Sequence, residues 1–211
     1  MRFRPVSAER LVAELIEMIT RRAGRLRVAV DGAPPAGPGG LADALGEALR
    51  LRGRPVLRVA AADFLRPASL RFERGKQNPD ARYEDWLDAG GLTREVLDPM
   101  KPGGSGRVLP SLWNADTDRA TRADYLNLAG DAVLVLDGEL LLGRGLAFDH
   151  TVHLWMSAPA LARRTGDGAA EAWALPAYAR YDAEVRPLLT ADTAVRMDDP
   201  AHPALLDEGP V

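Results

Sequence analysis

The stretch of sequence that decides the fold is Leu26-Arg-Val-Ala-Val-Asp-Gly-Ala-Pro-Pro-Ala-Gly-Pro-Gly-Gly40. Its first five residues are mostly apolar and partly β-branched, which predicts a strand that ends at Asp31. The glycines and prolines that follow predict a loop, and apolar residues at helical spacing predict a helix over residues 41–51. Strand, glycine-rich loop and helix in this order begin a βαβ unit.

The rest of the chain continues this alternation. Apolar runs predict further strands at residues 55–60, 132–136, 151–156 and 193–196, and helical spacing predicts helices at 7–22, 92–97, 159–164 and 171–184. Strands that alternate with helices indicate α/β architecture, a single doubly wound domain over residues 1–211 with a five-stranded parallel sheet. Ligands in such folds bind beyond the carboxyl ends of the strands.

Composition excludes several classes of function. The net charge of -3 provides no general positive electrostatic field that would attract nucleic acid. The absence of cysteine excludes disulfides, thiolate metal sites and cysteine nucleophiles. Three histidines are too few for a convincing catalytic metal centre. No apolar run reaches the roughly 20 residues that span a bilayer, and the N-terminal residues lack the apolar core of a signal peptide. We expect a cytoplasmic protein with a small-molecule substrate and no nucleic-acid or membrane partner, and a homodimer stays open.

Several segments together resemble the uridine kinase-like branch of the P-loop nucleoside kinases. Val28-Ala-Val-Asp-Gly32 and its loop resemble the first strand and phosphate loop, and residues 59–67 resemble the second strand with its Asp-Asp-Phe element. Val133-Leu-Val-Leu-Asp-Gly138 resembles the Walker B strand. Residues 83–88 and 99–104 resemble parts of a substrate-side insertion, placed at about 64–115, and 162–164 the start of a short lid, at about 160–172. The resemblance implies a P-loop kinase-like three-layer sandwich with strand order 2-3-1-4-5.

The phosphate loop departs from the family pattern. A working loop reads G-x-x-x-x-G-K-[ST], in which the lysine contacts the β and γ phosphates and the hydroxyl binds Mg²⁺. Here Gly32 and Gly37 keep the glycine positions, but Pro38 and Gly39 stand where the lysine and the hydroxyl belong. Pro38 offers neither a charge nor an N–H, and Gly39 offers no hydroxyl. We therefore expect no cofactor, neither ATP nor Mg²⁺, and no other metal.

Three carboxylates are the candidate catalytic residues: Asp63, Asp137 and Glu139. Ala62 stands where the resemblance expects the catalytic carboxylate, so Asp63 serves as the base only if the alignment slips by one. Asp137 ends the Walker B strand, and Glu139 replaces a residue that is usually apolar in the family. Two carboxylates at one strand end suit general acid/base work, because close spacing raises one pKa. We expect Asp31, in contrast, to bind backbone N–H groups at its strand end.

The substrate-side insertion and the lid supply the candidate substrate-binding residues. Arginines there suit an anionic substrate, and aromatic side chains suit the walls of a nucleoside-like pocket. The set is Arg66, Arg71, Tyr83, Asp85, Trp86, Trp113 and Arg163. Three functions remain open. The first is a repurposed enzyme that has lost phosphoryl transfer and uses carboxylate acid/base chemistry, the second a non-catalytic pseudokinase that binds or scaffolds, and the third a divergent nucleoside or small-molecule kinase.

Overall fold

A computed structural model of the chain describes residues 2–166 and 171–207. Its strands, in chain order, are β1 (Arg2–Pro5), β2 (Leu26–Gly32), β3 (Val56–Ala60), β4 (Arg107–Val108), β5 (Trp113–Asn114), β6 (Arg119–Ala120), β7 (Leu126–Asn127), β8 (Val133–Gly138), β9 (His150–Trp155), β10 (Thr193–Arg196) and β11 (Ala204–Asp207). Its α-helices are α1 (Ala8–Thr20), α2 (Pro38–Leu51), α3 (Ala68–Arg71), α4 (Pro79–Glu84), α5 (Ala89–Leu92), α6 (Asp98–Met100), α7 (Ala158–Thr165), α8 (Leu175–Glu184) and α9 (Pro187–Thr190).

The central sheet confirms the predicted strand order. Strands β3, β8, β2, β9 and β10 lie side by side and parallel, which is the order 2-3-1-4-5 of the five predicted strands. The sheet has seven strands, however, because β11 and β1 add to β10 in antiparallel fashion. Neither strand was predicted, because neither forms a buried apolar run: β1 is mostly exposed, and Leu205 is the one buried residue of β11. Phe3 of β1 stacks on Trp155 of β9.

Strand β8 shows why the sheet is covered on both faces. Val133 and Val135 point into the core that contains the apolar residues of α1 and α2, whereas Leu134 and Leu136 point into a second core on the opposite face. All four side chains are fully buried. Successive strand residues point to opposite faces, so a strand without polar alternation requires helices on both sides.

The connection from β2 to α2 brings the glycine-rich loop to the carboxyl edge of the sheet. After Gly32 the chain makes a short 3₁₀ turn over Pro34–Ala36 and passes through Gly37, whose φ of 77° suits glycine because it has no side chain. Helix α2 then begins at Pro38, where a missing N–H breaks no helical hydrogen bond. The N-terminus of α2 therefore faces the region beyond the strand ends.

The chain between β3 and β8 forms the region in which the substrate-side insertion was expected. It holds α3 to α6, a π-helical turn at Thr93–Leu97 and two small antiparallel pairs, β4 with β7 and β5 with β6. The predicted helix at 92–97 is part of this irregular helical run. Helix α7 begins the expected lid, but residues 167–170 of that lid lie outside the described residues. Within the described ranges, no helix combines the length and the apolar character needed to cross a membrane.

Candidate functional site

A cavity of about 570 Å³ lies beyond the carboxyl ends of β2, β3 and β8. The phosphate-loop residues and the turn after β3 form two of its walls, and α4 with the residues after it forms a third. Its volume is within the range of small-molecule sites, and its place is where ligands bind in open α/β sheets. Seven of the predicted site residues line it: Gly32, Gly37, Pro38, Gly39, Trp86, Asp137 and Glu139.

Asp137 faces this cavity in a bidentate pair with an arginine. Nε and Nη2 of Arg58 donate to its two carboxylate oxygens at 3.0 and 3.2 Å, and Arg58 also pairs with Asp43 at 3.0 Å. Burial raises the pKa of the Asp137 carboxyl, and this effect outweighs the hydrogen bond from Arg58 that lowers it. The group is therefore easier to protonate than an ordinary aspartate.

Glu139 belongs to a different ion pair. Its carboxylate accepts a hydrogen bond from Nη2 of Arg82 at 3.0 Å and another from the hydroxyl of Tyr178. Arg82 also donates to Glu171 at 2.8 Å. Burial lowers the pKa of Arg82, but Glu139, Tyr178 and Glu171 together outweigh this effect, so the pKa lies above its usual value. The sequence suggested two closely spaced carboxylates; the structure has two arginine–carboxylate pairs.

Arg82 is held in an aromatic cage. Its guanidinium lies 5.0 Å from the ring centre of Trp86 and 5.3 Å from that of Trp173, within cation–π range. Within the described part of the chain, its Nε is the only buried side-chain nitrogen or oxygen without a hydrogen-bond partner. The cage and the two carboxylates together fix Arg82 in the cavity wall.

Arg144 is a second cation at the cavity, and it has no carboxylate partner among residues 2–166 and 171–207. Its guanidinium donates to the backbone carbonyls of Leu140 and Tyr83. Burial lowers the pKa of Arg144 because the charged form loses hydration. A half-buried cation that neutral carbonyls alone satisfy favours a ligand with negative charge.

Asp31, at the end of β2, is completely buried and does not line the cavity. Its carboxylate accepts hydrogen bonds from the backbone N–H of Leu141 at 2.9 Å and from the hydroxyl of Tyr181 at 2.8 Å. Nδ1 of His153 lies 2.7 Å from the same carboxylate. The expected role of Asp31 as a strand-end acceptor for backbone N–H groups is confirmed, with two side-chain partners in addition.

Asp63, the third carboxylate, is half-buried beside the cavity and not part of its lining. Burial raises the pKa of Asp63, the hydroxyl of Ser111 lowers it by hydrogen bonding, and the carboxylate of Asp137 raises it further. The structure thus brings Asp63 close enough to Asp137 for their charges to interact.

The candidate substrate-binding residues divide into two groups. Trp86 lines the cavity, and the indole N–H donates to the carbonyl of Arg71 at 3.1 Å. The others lie outside the lining: Arg66, Arg71, Tyr83, Asp85, Trp113 and Arg163. Arg71, for example, is buried against Phe72 and Trp86 and donates to the carbonyl of Arg66 at 2.7 Å, because the insertion folds back on itself. The substrate contacts of these six residues stay predictions.

The other outlying candidates have local partners. Trp113 donates to Asp118 at 3.1 Å within the β5–β6 hairpin, and Asp85 pairs with Arg74. The Tyr83 hydroxyl donates to Glu184 at 3.1 Å. Arg163 is exposed on α7. These contacts tie the insertion to itself and to α8.

Four residues that build the site were not predicted from the sequence: Arg58, Arg82, Arg144 and Tyr178. Arg58 carried a usable signal, because a charge within the strand Val56–Ala60 of a sheet covered on both faces requires a partner. Arg82, Arg144 and Tyr178 carried none, since nothing local distinguishes them from the chain's other arginines and tyrosines.

Known proteins give the fold an independent test. Neither a family model nor a curated protein matches the chain. Among solved structures, a possible uridine kinase from Bacillus stearothermophilus aligns with a TM-score of 0.70 at 21% identity, over 87% of this chain and 96% of that one.

Two further solved structures align over most of their length. A proposed fructose transport system kinase from Silicibacter sp. TM1040 gives a TM-score of 0.56 at 23% identity, over 85% of this chain and 94% of that one. The YGR205w protein gives 0.58 at 10% identity, over 96% and 100%. The expected resemblance is confirmed for the architecture: this chain has the three-layer α/β fold of the uridine kinase-like P-loop proteins.

Proposed function

We propose that this chain is a uridine kinase-like protein that has lost ATP-dependent phosphoryl transfer and acts on a small metabolite by acid/base chemistry. The observation that carries the proposal is the Asp137 carboxyl, which lies in the wall of a largely apolar cavity and has a raised pKa. A carboxyl with a pKa moved toward neutrality exchanges a proton with a substrate more readily at working pH. Asp137 is the proposed proton-transfer residue.

Two features of the cavity oppose a nucleoside triphosphate. Pro38 and Gly39 supply neither the lysine charge nor the hydroxyl that a phosphate loop uses. The Glu139 carboxylate lies in the same wall. Two like unit charges about 4 Å apart repel by about 4 kcal/mol at an effective dielectric constant near 20. The pair with Arg82 reduces the repulsion from Glu139, but without the lysine and the hydroxyl a polyphosphate finds only Arg144 as a cation free of a carboxylate partner in the described chain.

The cavity fits a small, partly apolar molecule that carries an anionic group. Trp86, Leu87 and Leu140 supply flat and apolar surface, and Arg144 supplies a cation without a carboxylate partner in the described chain. A nucleoside-like metabolite with one acidic group has this combination. The ring would lie against the apolar wall and the acidic group would approach Arg144.

A non-catalytic binding protein is the second candidate. It is favoured by the ion pairs of the two cavity carboxylates, Asp137 with Arg58 and Glu139 with Arg82. An arginine partner favours the ionised form of a carboxyl and so opposes proton uptake. In this alternative the same cavity holds the ligand and leaves it unchanged.

Titration calorimetry with ATP·Mg²⁺ tests the loss of phosphoryl transfer. We expect a dissociation constant weaker than roughly 1 mM, which corresponds to about 4 kcal/mol of binding free energy. We also expect no transfer of phosphate from ATP to uridine. Micromolar affinity for ATP·Mg²⁺, or phosphorylation of uridine, would overturn the proposal and favour the divergent kinase.

A matched pair of variants tests the acid/base role. Ligands can be found by mass spectrometry of the molecules that heat releases from the purified protein, and by tryptophan fluorescence with nucleosides and nucleoside monophosphates. With the ligand that binds, Asp137→Asn should lower turnover by about 10²-fold or more and leave affinity within a few-fold. Asp149→Asn removes another arginine-paired aspartate, which lies outside the cavity and contacts Arg27, and should leave turnover near the wild-type value. A ligand that the wild type binds but never converts would establish the binding protein.

A further inference from the structure

The guanidinium of Arg58 lies where three elements of the site meet. It pairs with both oxygens of Asp137 at the end of β8, and its Nη1 lies 3.0 Å from Asp43 on α2. The backbone of Gly39 is the third element: a Cβ atom added to Gly39 would lie 2.9 Å from Nη2 of Arg58 and 3.4 Å from Oδ2 of Asp137. Any side chain at position 39 would therefore point at this ion pair.

This meeting point is the place of a metal in a working phosphate loop. There the residue at the position of Gly39 provides the hydroxyl that binds Mg²⁺, and an aspartate of the Walker B strand provides a carboxylate. In this chain a guanidinium, which has only hydrogen-bond donors, takes that place. Mg²⁺ requires a near-octahedral set of oxygen ligands, so these residues do not fit the ion.

The wider structure agrees with this reading. Residues 2–166 and 171–207 contain no group of three or more histidine or acidic side chains that could hold a metal ion. The two carboxylates that face Arg58 are already engaged by it, and the side chain of Asp43 is 66% exposed. Replacement of the metal by an internal cation explains how the buried carboxylate of Asp137 keeps a positive partner without Mg²⁺.

We propose that Arg58 is the resident cation of this site and excludes divalent metal, so that the cavity takes its ligand free of metal. An arginine side chain is always protonated and, unlike a metal ion, is covalently part of the chain. The cation is therefore present at any metal concentration. A nucleotide that arrives with Mg²⁺ would bring the metal against the guanidinium, whereas a metal-free anion would not. The metal-free ligand rests on the proposed function; the exclusion of metal does not.

Mn²⁺ binding by Arg58 variants tests the exclusion without any organic ligand. Wild-type protein should show no saturable Mn²⁺ binding up to about 5 mM, by calorimetry or by the spectrum of free Mn²⁺ in electron paramagnetic resonance. Arg58→Gln releases the Asp137 and Asp43 carboxylates and should bind Mn²⁺ at least about tenfold more tightly than wild type. Adding Gly39→Ser, which returns the hydroxyl, should tighten it further.

Arg27→Gln is the matched control. Arg27, near the start of β2, also forms an ion pair with an aspartate, Asp149 at 2.9 Å. This pair lies at the amino ends of the strands, away from the cavity, and contains a single carboxylate. This control should bind Mn²⁺ no better than wild type. If Arg58→Gln does not fold, the smaller change Arg58→Lys keeps a cation and should still exclude Mn²⁺ when paired with Gly39→Ser.

Two outcomes would overturn the inference: submillimolar Mn²⁺ binding by the wild type, or a folded Arg58→Gln protein that binds no better than the Arg27→Gln control. Because neither measurement contains ATP or a metabolite, failure of the proposed function leaves this test intact. Conversely, a confirmed metal exclusion would not by itself establish acid/base chemistry.

Discussion

Strands β2 and β8 end in the same dipeptide, Asp31-Gly32 and Asp137-Gly138, and the two ends lie side by side, with Asp31 opposite Gly138 in the sheet. Asp31 is completely buried, and its described hydrogen-bond partners are a backbone N–H, a tyrosine hydroxyl and a histidine ring. Asp137 opens onto the cavity and is held by Arg58. Asp31 is thus part of the buried interior, whereas Asp137 faces the cavity.

The difference arises from the chain that follows each dipeptide. After Gly32 a short loop leads directly into α2. The backbone at Gly32 packs closely against β9, where an added Cβ atom would lie only 2.9 Å from the Cβ of Leu154. The residues after Gly138 fold over Asp31 instead, so that Leu141 provides the N–H that its carboxylate accepts. Identical strand ends therefore acquire different roles through their neighbours.

The largest predicted effect separates the two aspartates by stability. Asp31→Ala leaves the Leu141 N–H, the Tyr181 hydroxyl and the His153 ring without their acceptor in the buried interior, and should lower the free energy of unfolding by roughly 3–5 kcal/mol. Asp137→Ala leaves a half-exposed arginine that still has Asp43, and should lower it by about 1–2 kcal/mol. Urea unfolding measures both; equal losses would contradict the comparison.

Tyr181, which contacts Asp31, and Tyr178, which contacts Glu139 in the cavity wall, give a smaller, matched prediction. The Tyr181 hydroxyl donates to Asp31 and accepts from the Leu142 N–H at 3.0 Å, both in the buried interior. Tyr181→Phe should lower the free energy of unfolding by about 1–3 kcal/mol. Tyr178→Phe removes one of the two donors that the described residues offer to Glu139 and should lower it by about 1 kcal/mol or less. A larger loss for Tyr178→Phe in the same urea titration would contradict the comparison, because it would mean that the tyrosine at the cavity contributes more to stability than the one in the interior.

The smallest predicted effect is a difference in pH dependence between two arginine-paired aspartates. Burial raises the pKa of Asp149, but hydrogen bonds from Arg27 outweigh it and hold that pKa below its ordinary value of 3.8. Its stabilisation is therefore present above that value and is lost as the pH falls. Asp137 has a pKa above 3.8, so its contribution is greatest below that value and is lost as the pH rises through the raised pKa.

Urea midpoints between about pH 3.5 and 7 measure this difference with asparagine variants as references. As the pH falls, the stability of wild type relative to Asp149→Asn should decrease. The stability of wild type relative to Asp137→Asn should increase over the same range. Parallel curves for the two comparisons would show that the Arg58 pair outweighs burial at Asp137.

The sequence predicted the parallel core because its signals are local. Apolar runs mark β2, β8 and β9, and the kinase resemblance supplied the order in which the strands pair. Because the carboxyl ends of parallel strands meet at one edge, Asp137 and Glu139 were expected at one site, and both line the cavity.

The partners of these carboxylates could not be predicted, because they come from distant parts of the chain. Arg58 is 79 residues from Asp137, and Arg82 is 57 residues from Glu139. The expected mutual repulsion of Asp137 and Glu139 was therefore replaced by two separate ion pairs. The insertion was equally hard to predict, since the partners of Arg71 are the backbone carbonyls of Arg66 and Ala115, and the second of these is 44 residues away.

The pairing of β1 with β11 has a consequence for folding and aggregation. It joins Arg2 to Asp207 and Pro5 to Ala204, so its formation closes nearly the whole sequence into one loop. Closing a loop over so many residues costs conformational entropy and therefore slows the pairing. We expect these two strands to pair late in folding and to separate early in unfolding. When it opens, the edge of β11 loses its cover and presents free backbone groups to another molecule. The onset of aggregation on warming should therefore follow the opening of these two strands and precede global unfolding.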